Sequence, residues 1–272
     1  PKELVLEEAR ALVSEGAGEL ILVAQETTLY GTDLYKKKAL AELLAELSEI
    51  PNLQWIRILY CYPEEIEPEL IQEMKRNPKV CHYLDLPIQH ASDRILKRMN
   101  RRTRKEELKE KIALLRKEMP DIALRTTIIT GFPGETEEDF QDVLSFISEE
   151  RFDRLGVFPY SQEEGTIAGA REDQVPEEVK EERYHTLMSI QAAISEENNR
   201  DLEGTIDYAM IEELEEGDND TVLAKGRLKS QAPDVDGNMY IEDCGDKVKA
   251  GDIVQVQVEQ GFAYDVVATI VE

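Results

Sequence analysis

The sequence is poor in cysteine and histidine, and it has no long apolar run. Its three cysteines, Cys61, Cys81 and Cys244, lie far apart and form neither a CxxC pair nor a disulfide framework, so we expect buried or half-buried free thiols in a reducing cytoplasm. Three histidines at irregular spacing do not predict a histidine metal site. No stretch approaches the roughly 18 apolar residues that cross a bilayer, and no basic segment before an apolar one indicates a signal peptide. We therefore predict a cytoplasmic protein without a membrane partner.

Basic residues are also scarce, because 32 Lys and Arg stand against 58 Asp and Glu, a formal net charge of −26. So acidic a surface repels phosphate backbones and attracts basic partners, although it can also serve only to keep the protein in solution. The chain begins at Pro1 rather than at a methionine, so we expect the natural N-terminus to lie upstream.

Short apolar runs alternate with charged stretches of helical spacing up to Tyr160. The apolar runs are residues 20–24, 55–60, 80–86, 124–130 and 155–160, and the helical stretches are 5–13, 40–47, 66–74, 108–115 and 140–147. This order predicts a parallel sheet with helical crossovers. Because the chain opens on a helix, we expect a first β unit to be missing from a partial or full (β/α) barrel of six units. In such barrels the chemistry lies where strands end.

Three helix starts carry sequence signals. Thr103 with Glu106 and Thr136 with Asp139 fit capping boxes, and Pro68 suits a first helical position. Between the strand at 124–130 and the helix that follows it lies a Gly-Phe-Pro-Gly turn. This turn lacks the GxxxxGK[ST] pattern, and the acids after it would repel a phosphate, so we do not expect a nucleoside triphosphate there.

The pattern changes after Tyr160. A loop at 161–174 precedes a long predicted helix at 176–200, and five short apolar segments separated by Gly, Asp and Asn turns follow from Gly204. Five short strands in about 70 residues predict a small β-barrel of oligonucleotide-binding type. We predict three parts: a partial barrel over 1–165, a connecting segment with its helix over 166–202, and a β-barrel over 203–272.

Polar side chains at the predicted strand ends form the candidate site. Gln25 and Glu26 follow the first strand, and Gln89 and His90 follow the third. A lone histidine is more often structural than catalytic. Arg125 and Thr127 are two residues apart on the fourth strand and hence share a face. An arginine inside a barrel needs a carboxylate, which either the protein or a ligand can supply.

Five segments together resemble a known family. They read QETTLYGTDLY, LDLPIQHASDRILKRMNR, LRTTIITGFPGETEEDF, FPYSQEEGT and GRLKSQAPDVDG. In this order they are similar to the radical S-adenosylmethionine methylthiotransferases, and most of all to the subgroup that modifies an aspartate of a small-subunit ribosomal protein. The resemblance covers nearly the whole chain, and the tail from Gly204 resembles a TRAM domain.

The resemblance implies a six-stranded partial barrel that holds S-adenosyl-L-methionine and a [4Fe–4S] cluster, with a second cluster in an N-terminal domain. The family's CxxxCxxC ligands are absent from this sequence, so we expect them upstream of Pro1 and expect this chain alone to be inactive. No metal ligand and no catalytic residue is assigned within it. By position, Gln25 and Glu26 would meet the methionine amino group, and Gln89 and His90 the ribose and substrate side.

The remaining positions come from the last two strands of the predicted barrel. Arg125 and Thr127 match cofactor-facing positions, Arg125 as a partner for the methionine carboxylate. Phe158 and Tyr160 match the region that contacts adenine, although apolar barrel filling is the alternative for Phe158 and Thr127.

The substrate must be predicted separately, because related enzymes of this fold modify tRNA. Residues 204–272 contain 5 basic and 16 acidic side chains, a net charge of −11. An RNA-binding module should be basic with stacking aromatics, so we expect a basic ribosomal protein to be attracted and tRNA to be repelled. The predicted function is an aspartate methylthiotransferase that depends on an electron donor such as flavodoxin or ferredoxin. A tRNA adenosine methylthiotransferase and a non-catalytic binding fragment are the alternatives.

Overall fold

The computed structural model describes residues 1–216, 221–245 and 247–271. The parallel sheet contains β1 (Glu19–Leu22), β2 (Trp55–Ile58), β3 (Val80–Gln89), β4 (Ala123–Thr130) and β5 (Arg154–Pro159). The helices are α1 (Lys2–Ser14), α2 (Thr32–Tyr35), α3 (Leu40–Ser48), α4 (Pro68–Arg76), α5 (Asp93–Arg98), α6 (Lys105–Glu118), α7 (Glu137–Glu150) and α8 (Glu177–Arg200). The later strands are β6 (Ile206–Glu216), β7 (Val222–Leu228), β8 (Met239–Ile241), β9 (Ile253–Gly261) and β10 (Val266–Ile270).

The predicted alternation of strands and helices is confirmed. The five strands lie in the order β1-β2-β3-β4-β5, and every neighbouring pair is parallel. Alternate side chains such as Ile56, Leu84 and Leu124 join the helices in one buried core, so the helices cover the outer face and the opposite side chains line the concave face. Two short helices, α2 and α5, were not predicted, and β3 extends three residues beyond its predicted end at 86.

Two of the three predicted helix starts are correct. Pro68 is the first residue of α4, and Thr136 caps α7 while the Asp139 carboxylate accepts the Thr136 N–H at 2.8 Å. The predicted box of Thr103 with Glu106 is wrong. The Thr103 hydroxyl donates to Glu64 at 2.7 Å, and α6 therefore begins one residue later than that box requires, with the Arg104 N–H donating to Glu107 at 2.9 Å.

The predicted five-stranded β-barrel is also confirmed. Its strands close in the order β10-β8-β7-β6-β9, antiparallel except for the pair of β8 and β10. Inward-facing residues such as Val256, Val258 and Val266 are fully buried in a separate apolar core. Closure pairs both edges of the sheet, so the barrel needs no further strand.

The β-barrel packs against the amino-terminal ends of the parallel strands. Met210 and Ala232 of the barrel share a buried cluster with Trp55 and Cys81, which lie at the starts of β2 and β3. The Arg57 guanidinium donates to the Lys229 carbonyl at 2.8 Å. The barrel therefore closes one end of the concave face and leaves the carboxyl ends of the strands accessible. No helix in the described ranges is long and apolar enough to span a membrane.

Helix α8 contacts both parts of the molecule. The Gln191 side chain donates to the Phe152 carbonyl at 2.8 Å, and the Asn199 side chain donates to the Phe262 carbonyl at 2.6 Å. Asn199 also accepts from Arg154 at the start of β5. Helix α8 therefore packs against both domains. The predicted domain boundaries at 165 and 202 stay predictions.

Candidate cofactor site at the strand ends

Glu26 connects the end of β1 to the end of β2. Its carboxylate accepts from the Thr28 N–H at 3.0 Å and from the Tyr62 N–H at 3.0 Å. Burial raises the pKa of Glu26, and these hydrogen bonds only partly oppose the shift. Gln25 is exposed beside it. Glu26 therefore fixes the loop, and the neighbouring Gln25 is the side chain that solvent or a ligand can reach.

Two non-glycine residues at adjacent strand ends have left-handed backbones. Tyr60 has φ +57° and Gln89 has φ +72°. The Asp85 carboxylate accepts the Tyr60 N–H at 3.2 Å, and the buried Gln89 Oε1 has no hydrogen-bond partner in the described part of the chain. Strained backbone and an unsatisfied buried acceptor both concentrate at functional sites. Gln89 can therefore accept from an ammonium or hydroxyl group of a ligand.

His90 uses both ring nitrogens within the protein. Its side chain is buried, Nδ1 accepts from the Ser92 N–H at 2.9 Å, and Nε2 lies 3.2 Å from Glu135. Glu135 also accepts from the Gly131 N–H at 2.9 Å and from Arg183 at 2.7 Å. This pattern places the proton on Nε2 and connects the end of β3 to the turn after β4. Sequence reasoning missed Glu135 as the centre of that turn.

Arg125 has carboxylate partners from the protein itself. Its guanidinium donates to Asp85 at 2.8 Å and lies 3.6 Å from the Asp236 carboxylate. Asp236 belongs to the β-barrel domain, so this negative charge is supplied by a residue far from Arg125 in the sequence. The carboxylate that a buried arginine requires is therefore already present, and a ligand carboxylate is not needed to explain its burial. Thr127, half-buried, follows two residues along the same strand.

The aromatic side chains of β5 and its exit differ in exposure. Phe158 is 55% exposed, whereas the Tyr160 ring packs edge-on against Phe132 at 5.3 Å between centroids. The Lys180 ammonium donates to the Tyr160 carbonyl at 2.9 Å. Gly156 lies under Phe158, where an added Cβ would come within 3.2 Å of the ring. An accessible ring face at a strand end can stack on a planar ligand.

The cysteines do not fit an iron–sulfur cluster. Among the residues with described positions, no group of three or more His, Cys, Asp or Glu side chains can hold a metal ion. Cys61, Cys81 and Cys244 are buried at separate places. Burial raises the pKa of the Cys81 thiol to about 11, whereas a cluster ligand must be a thiolate.

Two family models match the chain. The model described as the radical SAM superfamily matches residues 1–147, more than half of the chain, and the TRAM domain model matches residues 204–271. The chain belongs to the radical SAM superfamily. Both parts of the predicted resemblance, the partial barrel and the TRAM domain, are confirmed by these matches.

Curated relatives of this radical SAM chain are named ribosomal protein uS12 methylthiotransferase RimO. The Geobacter sulfurreducens protein is 51% identical over 271 residues, which cover 100% of this chain and 60% of the relative. The Lachnoclostridium phytofermentans protein is 50% identical over 271 residues, which cover 99% of this chain and 60% of that relative. This chain therefore spans about three fifths of the length of these relatives.

A solved radical SAM enzyme, coproporphyrinogen III oxidase (HemN) of Escherichia coli, has the same fold. The superposed part covers 71% of this chain and 46% of the HemN chain, with a TM-score of 0.52 and 18% sequence identity. At this identity the match shows a shared fold, and the predicted roles of Gln25, Glu26, Gln89 and the other candidate residues stay predictions.

Proposed function

We propose that this chain is the barrel and TRAM portion of a methylthiotransferase that adds a methylthio group to the β-carbon of an aspartate in a small-subunit ribosomal protein. The observation that carries the proposal is the continuous 51% identity to a uS12 methylthiotransferase through both domains. The fold supports it, because the β-barrel lies at the strand starts and leaves the strand ends accessible.

S-adenosyl-L-methionine is the cofactor that the residues here can hold. Gln89 offers a buried acceptor without a hydrogen-bond partner among the described residues, Gln25 is exposed after the end of β1, and Phe158 presents an accessible ring for adenine. Glu26 and His90 hold the loops that carry these groups, and Thr127 and Tyr160 line the neighbouring strands. When bound, the cofactor supplies the radical chemistry, while these residues bind and orient it.

No group of side chains among the described residues fits the [4Fe–4S] clusters of the family. We propose that their cysteines lie upstream of Pro1, in the portion of the relatives that this chain does not cover, and that this chain alone is inactive. An electron donor such as flavodoxin or ferredoxin belongs to the same proposal.

A basic ribosomal protein fits the charge of −26, which attracts a cationic partner over a distance. A tRNA adenosine methylthiotransferase is the second candidate. The acidic β-barrel lies at the strand starts, away from the accessible strand ends, so its charge steers an approaching partner and does not line the proposed site.

Mass spectrometry of a strain that lacks the gene tests the function. We expect the loss of a methylthio mass from an aspartate of the small-subunit protein and no change in tRNA. Loss from a tRNA adenosine instead would establish the second candidate. Reconstitution of this 272-residue chain with iron and sulfide should give no stoichiometric [4Fe–4S] spectrum, and such a spectrum would show that its own residues ligate a cluster.

A further inference from the structure

One short segment of this acidic chain is strongly basic. Residues 97–105 read KRMNRRTRK, with six Lys or Arg side chains and no acid. We call these residues the basic segment. It contains nearly a fifth of the 32 Lys and Arg residues of a chain whose net charge is −26. Such a concentration of one charge is a local property that the overall composition does not predict.

The basic segment lies next to the strand ends. It runs from α5, which follows the end of β3, to the start of α6. The Arg101 guanidinium donates to the Pro87 carbonyl at 2.8 Å and stacks over the Tyr62 ring at 4.5 Å, and the Tyr62 N–H donates to Glu26. Arg101 is therefore held in place, within two contacts of the candidate cofactor site.

The segment folds around a concavity of about 190 Å³. Four cationic side chains line it together with Thr103 and Asp93, namely Lys97, Arg101, Arg102 and Arg104. Asp93 accepts from the Lys105 N–H at 2.8 Å, so its carboxylate is already hydrogen-bonded at the helix start. With one carboxylate against four cations, the concavity keeps a net positive charge.

All four cations that line the concavity lack an ion-pair partner within the described ranges, and three of them are exposed. Arg98 and Lys105 are paired with Asp173 and Asp142, whereas Lys97, Arg102 and Arg104 are exposed and have no carboxylate within 4.0 Å. In a chain with 58 acidic residues, unpaired cations are available to an external anion.

We propose that this concavity binds phosphate groups of an RNA backbone. Guanidinium groups match phosphate oxygens in a bidentate geometry, and several cations around one small hollow suit a compact anion. The RNA assignment rests on the proposed function, since a small-subunit ribosomal protein occurs on ribosomal RNA. The target aspartate would then be recognised together with RNA beside it.

A folded acidic protein fits this surface less well than RNA does. A stable protein interface covers about 800 Å² on each partner, so it would extend from the basic segment onto the acids that flank it, including Glu64, Glu106 and Glu107. A nucleic acid strand is narrow and can follow the basic segment alone.

Fluorescence anisotropy of a labelled single-stranded RNA with this chain tests the proposal, between about 50 mM and about 200 mM KCl. The test variant is the triple substitution Lys97→Gln, Arg102→Gln and Arg104→Gln. The matched control is Arg10→Gln, Lys36→Gln and Lys249→Gln, which removes three exposed cations elsewhere and changes the net charge equally. Circular dichroism verifies that both variants keep the fold.

Binding of single strands depends on salt with a slope of about −0.7 for each phosphate contacted. We expect the test variant to lower the magnitude of this slope by about 2 and to weaken binding at least about tenfold at low salt, while the control keeps the parent slope. Equal losses in both variants would overturn the proposal, because net charge alone would then explain binding. Absence of binding by the parent at low salt would also overturn it.

Two competitors identify the anion. Inorganic phosphate and polyglutamate should displace RNA no better than potassium chloride at the same ionic strength. Displacement by millimolar phosphate would make this a site for a free phosphate, and preferential binding of polyglutamate would make it a site for an acidic protein, and either result would overturn the RNA assignment. The test needs neither cluster nor cofactor, so its failure is distinguishable from failure of the proposed methylthiotransferase activity.

Discussion

The Tyr83 hydroxyl donates a hydrogen bond of 2.7 Å to the Asp236 carboxylate, from β3 of the parallel sheet to a loop of the β-barrel. Asp236 also accepts from the Ala232 N–H at 2.8 Å, and its other oxygen lies 3.6 Å from Arg125. The side chains of Tyr83 and Asp236 are almost fully buried. The two domains therefore share a polar contact inside the molecule, so changes there should affect the stability of both.

Tyr83→Phe should lower the free energy of unfolding by about 1–2 kcal/mol, because it leaves a buried carboxylate with one donor fewer. Urea denaturation followed by circular dichroism measures the change. Tyr264→Phe is the control, since Tyr264 is 45% exposed, and it should change stability by less than about 0.5 kcal/mol. Equal effects of the two substitutions would contradict the role of the Tyr83 hydroxyl.

Glu19→Ala should be strongly destabilising. Glu19 accepts from Arg57 at 2.9 Å and from Arg227, and all three side chains are at most 5% exposed. Its removal leaves two buried guanidinium groups without their shared carboxylate, at a cost of about 3–5 kcal/mol in unfolding free energy. Glu42→Ala, which breaks the exposed pair with Lys37, should have a much smaller effect in the same urea titration, because solvent screens an exposed pair. A small effect at Glu19 would mean that water reaches the arginines.

Asp139 should make the stability depend on pH in the acid range. Burial would raise the pKa of its carboxyl, but hydrogen bonds from Arg94, Ser92 and Thr136 outweigh it and hold the pKa below its usual value. A lowered pKa stabilises the fold above the unfolded value of about 3.9, and this contribution is lost as pH falls through the folded pKa.

Asp139→Asn should therefore cost about 2 kcal/mol at neutral pH, and the difference from the parent should shrink as the pH falls below about 4. Urea titrations at neutral and acid pH measure both. Asp142→Asn on the same helix removes an exposed pair with Lys105 and should cost less than about 1 kcal/mol. A difference at Asp139 that grows on acidification would be inconsistent with a lowered pKa.

The thiols should be unreactive in the folded chain. All three are buried, and the pKa of Cys81 is raised to about 11, so only about one molecule in a thousand carries that thiolate near pH 8. Ellman's reagent should detect no thiol within minutes under native conditions and all three cysteines in guanidinium chloride. Rapid native reaction of any thiol would reveal local opening of the core around it.

Local periodicity was sufficient to predict the strands and most helices. The alternation of apolar and charged residues identified all five parallel strands, and the turn residues after Gly204 identified the β-barrel, because each signal lies within a dozen residues. Helix α5 was not predicted, because its six residues are too few to show a helical period. The capping box predicted at Thr103 failed for a different reason. The Thr103 hydroxyl donates to Glu64, which is 39 residues away, and a local pattern cannot predict such a partner.

The sequence predicted where along the strands the candidate residues lie, but it did not predict which residues they contact. The sequence placed Glu26 and Gln89 at the ends of the first and third strands and Arg125 on the fourth, yet it could not pair Arg125 with Asp236, which is more than a hundred residues away. That partner depends on how the β-barrel packs against the strand starts, and no local pattern encodes the packing of two domains. The same holds for Glu135 and Arg183, whose contact requires α8 to return across the sheet.

The left-handed backbones of Tyr60 and Gln89 have a consequence for engineering this protein. A non-glycine residue in that conformation costs on the order of 1 kcal/mol or more, and glycine would adopt it without that cost. A screen for thermal tolerance alone should thus enrich glycine at these two positions, and in doing so it would remove the side chains that border the strand ends. Variants recovered for heat resistance would need a separate selection for ligand retention.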